Sequence, residues 1–290
     1  MVFGNASSRR RGQLCIALAA AAWSTAGVLQ RQLTVDTATQ LAGRAVFACL
    51  FLAGFVAVVS RGRPLAAFRS IGVAGLAVAA LTAIASTSFI VALNHARVAN
   101  VLFIQALSPI AAGLLAWAVL GEAITRRTLV AMVIALLGVG LMVGGPGSGG
   151  WLGVGASLLM MFAFAVALVI TRHRREVSMA PAVCLSQVLV ILIAAPFADP
   201  GSITSRDLLL LVLLGVCQMG LGLVFLVIGA RLIPAAEVAL ISLLELVLGP
   251  LWVWLSISER PSPSTVLGGV VVVLAVLLQT TERAEAPALA

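Results

Sequence analysis

Of the 290 residues, 62% are hydrophobic and 10% are charged, with a mean hydropathy of +1.17. A soluble domain carries roughly 25% charged residues, so the composition excludes a soluble enzyme or binding module. The formal charge of +8 comes from arginine alone, because the chain has no lysine, and those arginines sit in short loops between apolar runs, which makes nucleic acid a poor partner.

In chain order, apolar runs of about 20 residues recur, the length that crosses a bilayer core at 1.5 Å per residue. They predict ten helices, at roughly 14–33, 39–59, 71–93, 99–119, 128–145, 151–171, 180–198, 207–230, 234–256 and 264–281. The ten-residue alternation of a membrane β-barrel is absent. The first run is too long and too polar at its centre for a cleaved signal peptide, so it reads as mature structure.

The arginines alternate by side. With the N-terminus inside, inner loops and tails hold Arg9, Arg10, Arg11, Arg61, Arg63, Arg69, Arg126, Arg127, Arg172, Arg174, Arg175, Arg231 and Arg283. Outer loops hold Arg31, Arg97, Arg206 and Arg260, a ratio of 13 to 4, with Arg44 left inside a span. The positive-inside rule then predicts cytoplasmic termini. Cys15, Cys49, Cys184 and Cys217 all fall in spans, at no metal-ligand spacing, and read as small buried hydrophobes. No metal or cofactor is expected.

The run Gly144–Gly150 divides the chain into residues 1–147 and 148–290, each with five predicted spans. The halves are similar. At an offset of 137, Trp117, Leu120 and Glu122 fall on Trp254, Ile257 and Glu259, Ala99 on Ala236, Val101 on Val238 and Thr128 on Thr265. Arg31 and Arg172 close spans 1 and 6 in the same way. Five is odd, so the second unit enters the membrane inverted, related to the first by a pseudo-two-fold axis in the membrane plane. The expected fold is an all-α polytopic membrane protein of two inverted five-helix repeats, the architecture of alternating-access carriers.

The segments Ala92-Leu93-Asn94-His95-Ala96, Leu107-Ser108-Pro109 and Leu120-Gly121-Glu122-Ala123-Ile124-Thr125 resemble the EamA domain of the drug/metabolite transporter superfamily. The second half repeats this pattern more loosely, from Ala230 to Pro250 and Glu259, with Gly121 matched by Ser258 and Pro109 by Leu246. Trp23-Ser24-Thr25 further resembles the YddG-like amino-acid exporter branch. The resemblance implies a bacterial inner-membrane location and export of amino acids or related metabolites.

Ionisable groups inside a bilayer are costly and face a cavity or a partner. Glu245, about twelve residues into span 9, is the clearest; its repeat counterpart is Ser108 of span 4. It either binds an ammonium group, relays a proton, or is a structural carboxylate. Pro109 and Pro250 each free a backbone carbonyl, giving a gating bend or a packing kink. Arg44 either snorkels, pairs with a carboxylate, or holds a substrate carboxylate, and its counterpart is the polar Gln187 of span 7. Ser86 and Gln218 lie in small-residue stretches that serve packing or the cavity. Gln105 shares the helix of Ser108; Trp23, mid-span, either forms an apolar wall of the cavity or fills core, and Ser24 beside it is a cavity candidate. Trp117, Trp151, Trp252 and Trp254 are expected in interfacial belts, Glu122 and Glu259 as loop braces, and Glu237 beside Arg231. No metalloprotease or serine-nucleophile motif occurs, so an enzyme is not expected. The expected partners are a small zwitterion bound between the halves and the lipid bilayer, with a monomer as the working unit.

Overall fold

The computed structural model describes residues 6–30, 32–96, 98–143, 150–257 and 262–280. Among the described residues ten helices are long and apolar enough to cross a membrane: Ser7–Gln30, Thr37–Val59, Gly72–Ala92, Asn100–Leu120, Arg126–Val143, Trp151–His173, Ala180–Phe197, Ser205–Gly229, Ala235–Ser256 and Pro263–Thr280. They are spans 1 to 10. Among the described residues there is no strand.

Local chemistry sets several ends. Span 2 starts where the carboxylate of Asp36 accepts from the backbone N–H groups of Ala38 and Thr39 at 2.8 and 3.0 Å. The Thr39 hydroxyl also donates to that carboxylate, which holds Asp36 below the usual carboxyl range. Span 8 starts in a capping box of Thr204 and Asp207. Spans 5 and 10 begin on hydroxyl caps at repeat-equivalent positions, with Thr128 N–H donating to Thr125 and Thr265 N–H to Ser262. Gly121 closes span 4 at φ 68°, a left-handed conformation that favours glycine, so the Leu-Gly-Glu signature is a helix stop.

Several spans are interrupted. Span 1 breaks at Thr25, where the hydroxyls of Ser24 and Thr25 bond back to the carbonyls of Ala21 and Ala22, both at 2.7 Å. Span 4 divides into 4a (Val98–Gln105) and 4b (Ser108–Leu120). Pro109 has no N–H to donate, and its ring crowds the preceding turn. Span 9 divides into 9a (Ala235–Ser242) and 9b (Leu244–Ile257), and the Ser242 hydroxyl bonds back to Val238 at 2.9 Å. The gap residues Ala106 and Leu243 are 137 apart, so the repeats break at one shared register. Pro250 lies inside 9b, which runs through it. Span 8 carries a π-helical turn at Leu214–Gly220.

Packing follows the two-fold. Spans 5 and 10, 2 and 7, and 4 and 9 pair across the axis, while 3 with 6 maps onto 8 with 1, and 4 with 6 onto 9 with 1. Glycines allow the close approaches. A Cβ on Gly268 would lie 2.4 Å from the Gly138 carbonyl, between spans 10 and 5, and one on Gly215 would lie 2.6 Å from the Arg44 carbonyl, between spans 8 and 2.

The symmetry fails in one place. Segment 9a packs against 4b, span 6 and span 5. Among the described residues the equivalent pairings of 4a, with 9b, span 1 and span 10, are not formed to a comparable extent. Spans 4 and 9 are therefore joined on the face where span 1 begins and span 10 ends, and they part on the other. The joined face carries the arginine-rich loops.

Candidate functional site

The junction of the broken spans is the polar centre of the molecule. Gln105, the last residue of 4a, donates from its side-chain amide to the carboxylate of Glu245, in the first turn of 9b. Among the described residues Glu245 makes no ion pair. The second oxygen of the site, Gln105 Oε1, is buried without a hydrogen-bond partner. A carboxylate held only by a neutral amide, at the floor of the parted spans, is a place for a proton or an ammonium group.

Three residues of 9b face the same way. Glu245, Gly249 and Trp252 are spaced four and three apart, one helical face. Trp252, near the end of span 9 and partly exposed, donates its indole N–H to the Ser24 hydroxyl at 2.8 Å. A Cβ on Gly249 would stand 3.9 Å from the Ser24 carbonyl. The break in span 1 is thus laid against 9b. Next to it, Trp23 packs its indole on Gly222 of span 8 and meets Phe164 of span 6 edge-on, with ring centroids 6.2 Å apart.

Ser108 opens 4b and is 3% exposed, buried at the same junction register as Glu245. Pro109 follows it, also buried.

The remaining polar candidates form a second group. Arg44 is buried and donates to the Ser86 hydroxyl at 3.1 Å, joining spans 2 and 3. Gln187 is buried in span 7 and donates to Ser186 at 3.0 Å. Gln218 lies in the π-helical turn, 6% exposed, with its carbonyl oxygen unpartnered. Such turns recur where a helix carries function. These residues lie on spans 2, 3, 7 and 8, whereas Gln105 and Glu245 lie on spans 4 and 9.

The arginine-rich face holds a network that the chain order only half reveals. Glu237 takes Arg9, not the adjacent Arg231: Arg9 donates to both carboxylate oxygens at 3.2 Å, and Gln13 donates to one at 2.7 Å. Arg231 donates to the Arg175 carbonyl instead. Glu122 braces the loop after span 4 through Arg172 at 2.7 Å, and Arg172 also donates to the Arg231 carbonyl at 2.9 Å. Glu259, its repeat partner, lies outside the described residues. Pairing across more than 200 positions is invisible in sequence, where Arg9 reads simply as one of many topogenic arginines.

Among curated proteins none matches the chain. The fold recurs in solved structures: a protein known from a crystal structure aligns at 20% identity over 96% of this chain and 97% of its own, with a TM-score of 0.79. At that identity the likeness concerns the fold. The EamA-like transporter family matches twice, over residues 10–144 and 151–281, once for each five-span repeat. With both repeats matched, the chain belongs to the EamA-like transporter family of the drug/metabolite transporter superfamily and is a multi-pass membrane transporter.

Proposed function

We propose that this transporter exports amino acids or related small zwitterions across a bacterial inner membrane, with both termini in the cytoplasm. The observation that carries the substrate class is Glu245. A carboxylate at the break of span 9, with an amide and no cation beside it, offers an ammonium group a charge partner that a lipid-buried site otherwise lacks. The indole of Trp252 and the Ser24 hydroxyl stand on the same face of the junction, where an apolar wall and a hydrogen-bonding group suit an amino-acid side chain and carboxylate. The arginine excess on one face supports the cytoplasmic assignment of the termini.

Substrate reaches the junction alternately from the two faces as the halves rock about it. The residues offered for binding are Trp23, Ser24, Gln105, Ser108 and Glu245, with Pro109 and Pro250 at the bending segments. Arg44, Ser86, Gln187 and Gln218 shape the supporting helices. Nothing in this scheme calls for bond-making chemistry.

The test is counterflow in proteoliposomes over a panel of amino acids, with and without a pH gradient. Uptake of several amino acids, reduced at least tenfold by Glu245→Gln, is the expected result. Failure to move any amino acid would sink the substrate class. Transport untouched by Glu245→Gln would remove the carboxylate from the mechanism.

A further inference from the structure

We infer that two ion pairs on the arginine-rich face, Arg9–Glu237 and Arg172–Glu122, form a latch that holds this face closed and biases the transporter toward the state open on the other side. The inference rests on the alternating-access reading above, but on different residues.

Every link in the latch crosses between the repeats. Arg9 and Gln13 of span 1 hold Glu237 of 9a, and Gln13 also donates to the Thr280 carbonyl of span 10 at 3.3 Å. Arg172 of span 6 holds Glu122 at the end of 4b. Arg127 of span 5 donates to the Leu278 carbonyl of span 10 at 2.7 Å. The latch therefore ties 9a to span 1 and the end of 4b to span 6, bracing from both sides the two segments that pack on each other on this face. Closure beneath it is by small residues: Gly113 of 4b approaches Ala236 of 9a, where an added Cβ would sit 3.4 Å away.

The latch is one-sided at its most buried member. The repeat register places Asn100 where Glu237 stands, an amide in place of a carboxylate. Packing of 4a on 9b in the alternate state thus has no carboxylate at this position to hold it. Glu237 is 1% exposed, so its attraction to Arg9 is little screened.

Behind the latch lies a cavity of about 70 Å³, lined by Arg9, Glu122, Thr128, Ala236, Glu237 and Gln279 among others. Two oxygens at this cavity, Glu122 Oε2 and Gln279 Oε1, are buried without partners. The volume suits a small group of waters.

The experiment is cysteine accessibility in membrane vesicles, on a background with the four native cysteines replaced. Ala236→Cys reports the closed interface from the arginine-rich side, and Leu102→Cys in 4a reports the other face. With a membrane-impermeant maleimide, Ala236→Cys is expected to react slowly. Adding Glu237→Gln or Glu122→Gln raises its rate at least tenfold and slows Leu102→Cys. The charge swap Arg172→Glu with Glu122→Arg restores slow labelling at Ala236→Cys. Unchanged labelling in both neutralised variants overturns the latch. So does fast labelling that the charge swap fails to reverse, since a merely loosened fold would not be repaired by it. Monodispersity in detergent identifies a neutralised variant that does not fold; Arg9→Gln, which leaves Glu237 and its Gln13 bond in place, then carries the same measurement. The readout needs no substrate, so a latch that fails here leaves the Glu245 reading standing, and a failed counterflow assay leaves the latch standing.

Discussion

Gly222 is where a single methyl group tests the site most sharply. A Cβ built on it would lie 2.2 Å from Trp23 Nε1, 2.6 Å from Cδ1 and 3.0 Å from Cε2. Ordinary contact begins near 3.4 Å, so the indole must withdraw by about 1 Å or span 8 must move. Overpacking of this kind costs about 1–3 kcal/mol. Displacing the ring also weakens its edge contact with Phe164, worth roughly 0.5–1.5 kcal/mol beyond burial. Gly222→Ala is therefore expected to lose about 2–4 kcal/mol, a fall on the order of 5 °C or more in thermal unfolding. Gly54→Ala is the control, because no atom stands within 4 Å of its added Cβ and alanine is the better helix former. The assay is loss of the monodisperse peak on heating in detergent, with counterflow measured beside it. Equal stability of the two variants, with equal transport, would refute the placement of Trp23 against span 8.

Three further outcomes follow from the same geometry. Gln105→Ala takes the amide from Glu245 and leaves a half-buried carboxyl group without that donor, at about 1 kcal/mol; thermal unfolding should register the loss, and counterflow should show weaker substrate saturation. Gly268→Leu cannot fit against the Gly138 carbonyl and should separate spans 5 and 10, seen as aggregation or a fall in unfolding temperature. Asp36→Ala should cost about 1 kcal/mol through the lost cap of span 2, with Asp36→Asn closer to wild type. Since folding lowers the Asp36 value, its contribution is present above the unfolded carboxyl value of about 3.9 and fades as pH falls through the lower folded one; unfolding temperatures measured down that range should converge for wild type and Asp36→Ala.

How far the sequence reaches depends on what kind of signal a feature leaves. Ten spans are legible because each must be apolar over its whole crossing. The start of span 1 is less so: the helix extends back through Arg9, Arg10 and Arg11, which no hydropathy pattern includes. The register of the repeat is carried by Trp117, Glu122 and their partners, and through it Ser108 is the repeat counterpart of Glu245. The chemical identity of a midplane carboxylate needs no structure. Its neighbours do. Gln105 could be grouped with Ser108 by sharing a helix, but its donation to Glu245 depends on where span 4 breaks. Trp252 is spaced seven residues from Glu245, a same-face signal legible in the sequence, but its bond to Ser24 depends on how spans 1 and 9 pack.

Composition and periodicity alone determine that this is a ten-span membrane protein of inverted halves, because lipid demands apolar helices and an odd repeat demands inversion. Which face is shut is another matter. The two halves share one repeat pattern, so either could close. Only the tertiary packing of 9a on 4b, and the pairing of Arg9 with a carboxylate 228 positions away, break that tie. A two-fold sequence permits two conformations of similar energy, and contacts between distant segments select the one that is occupied.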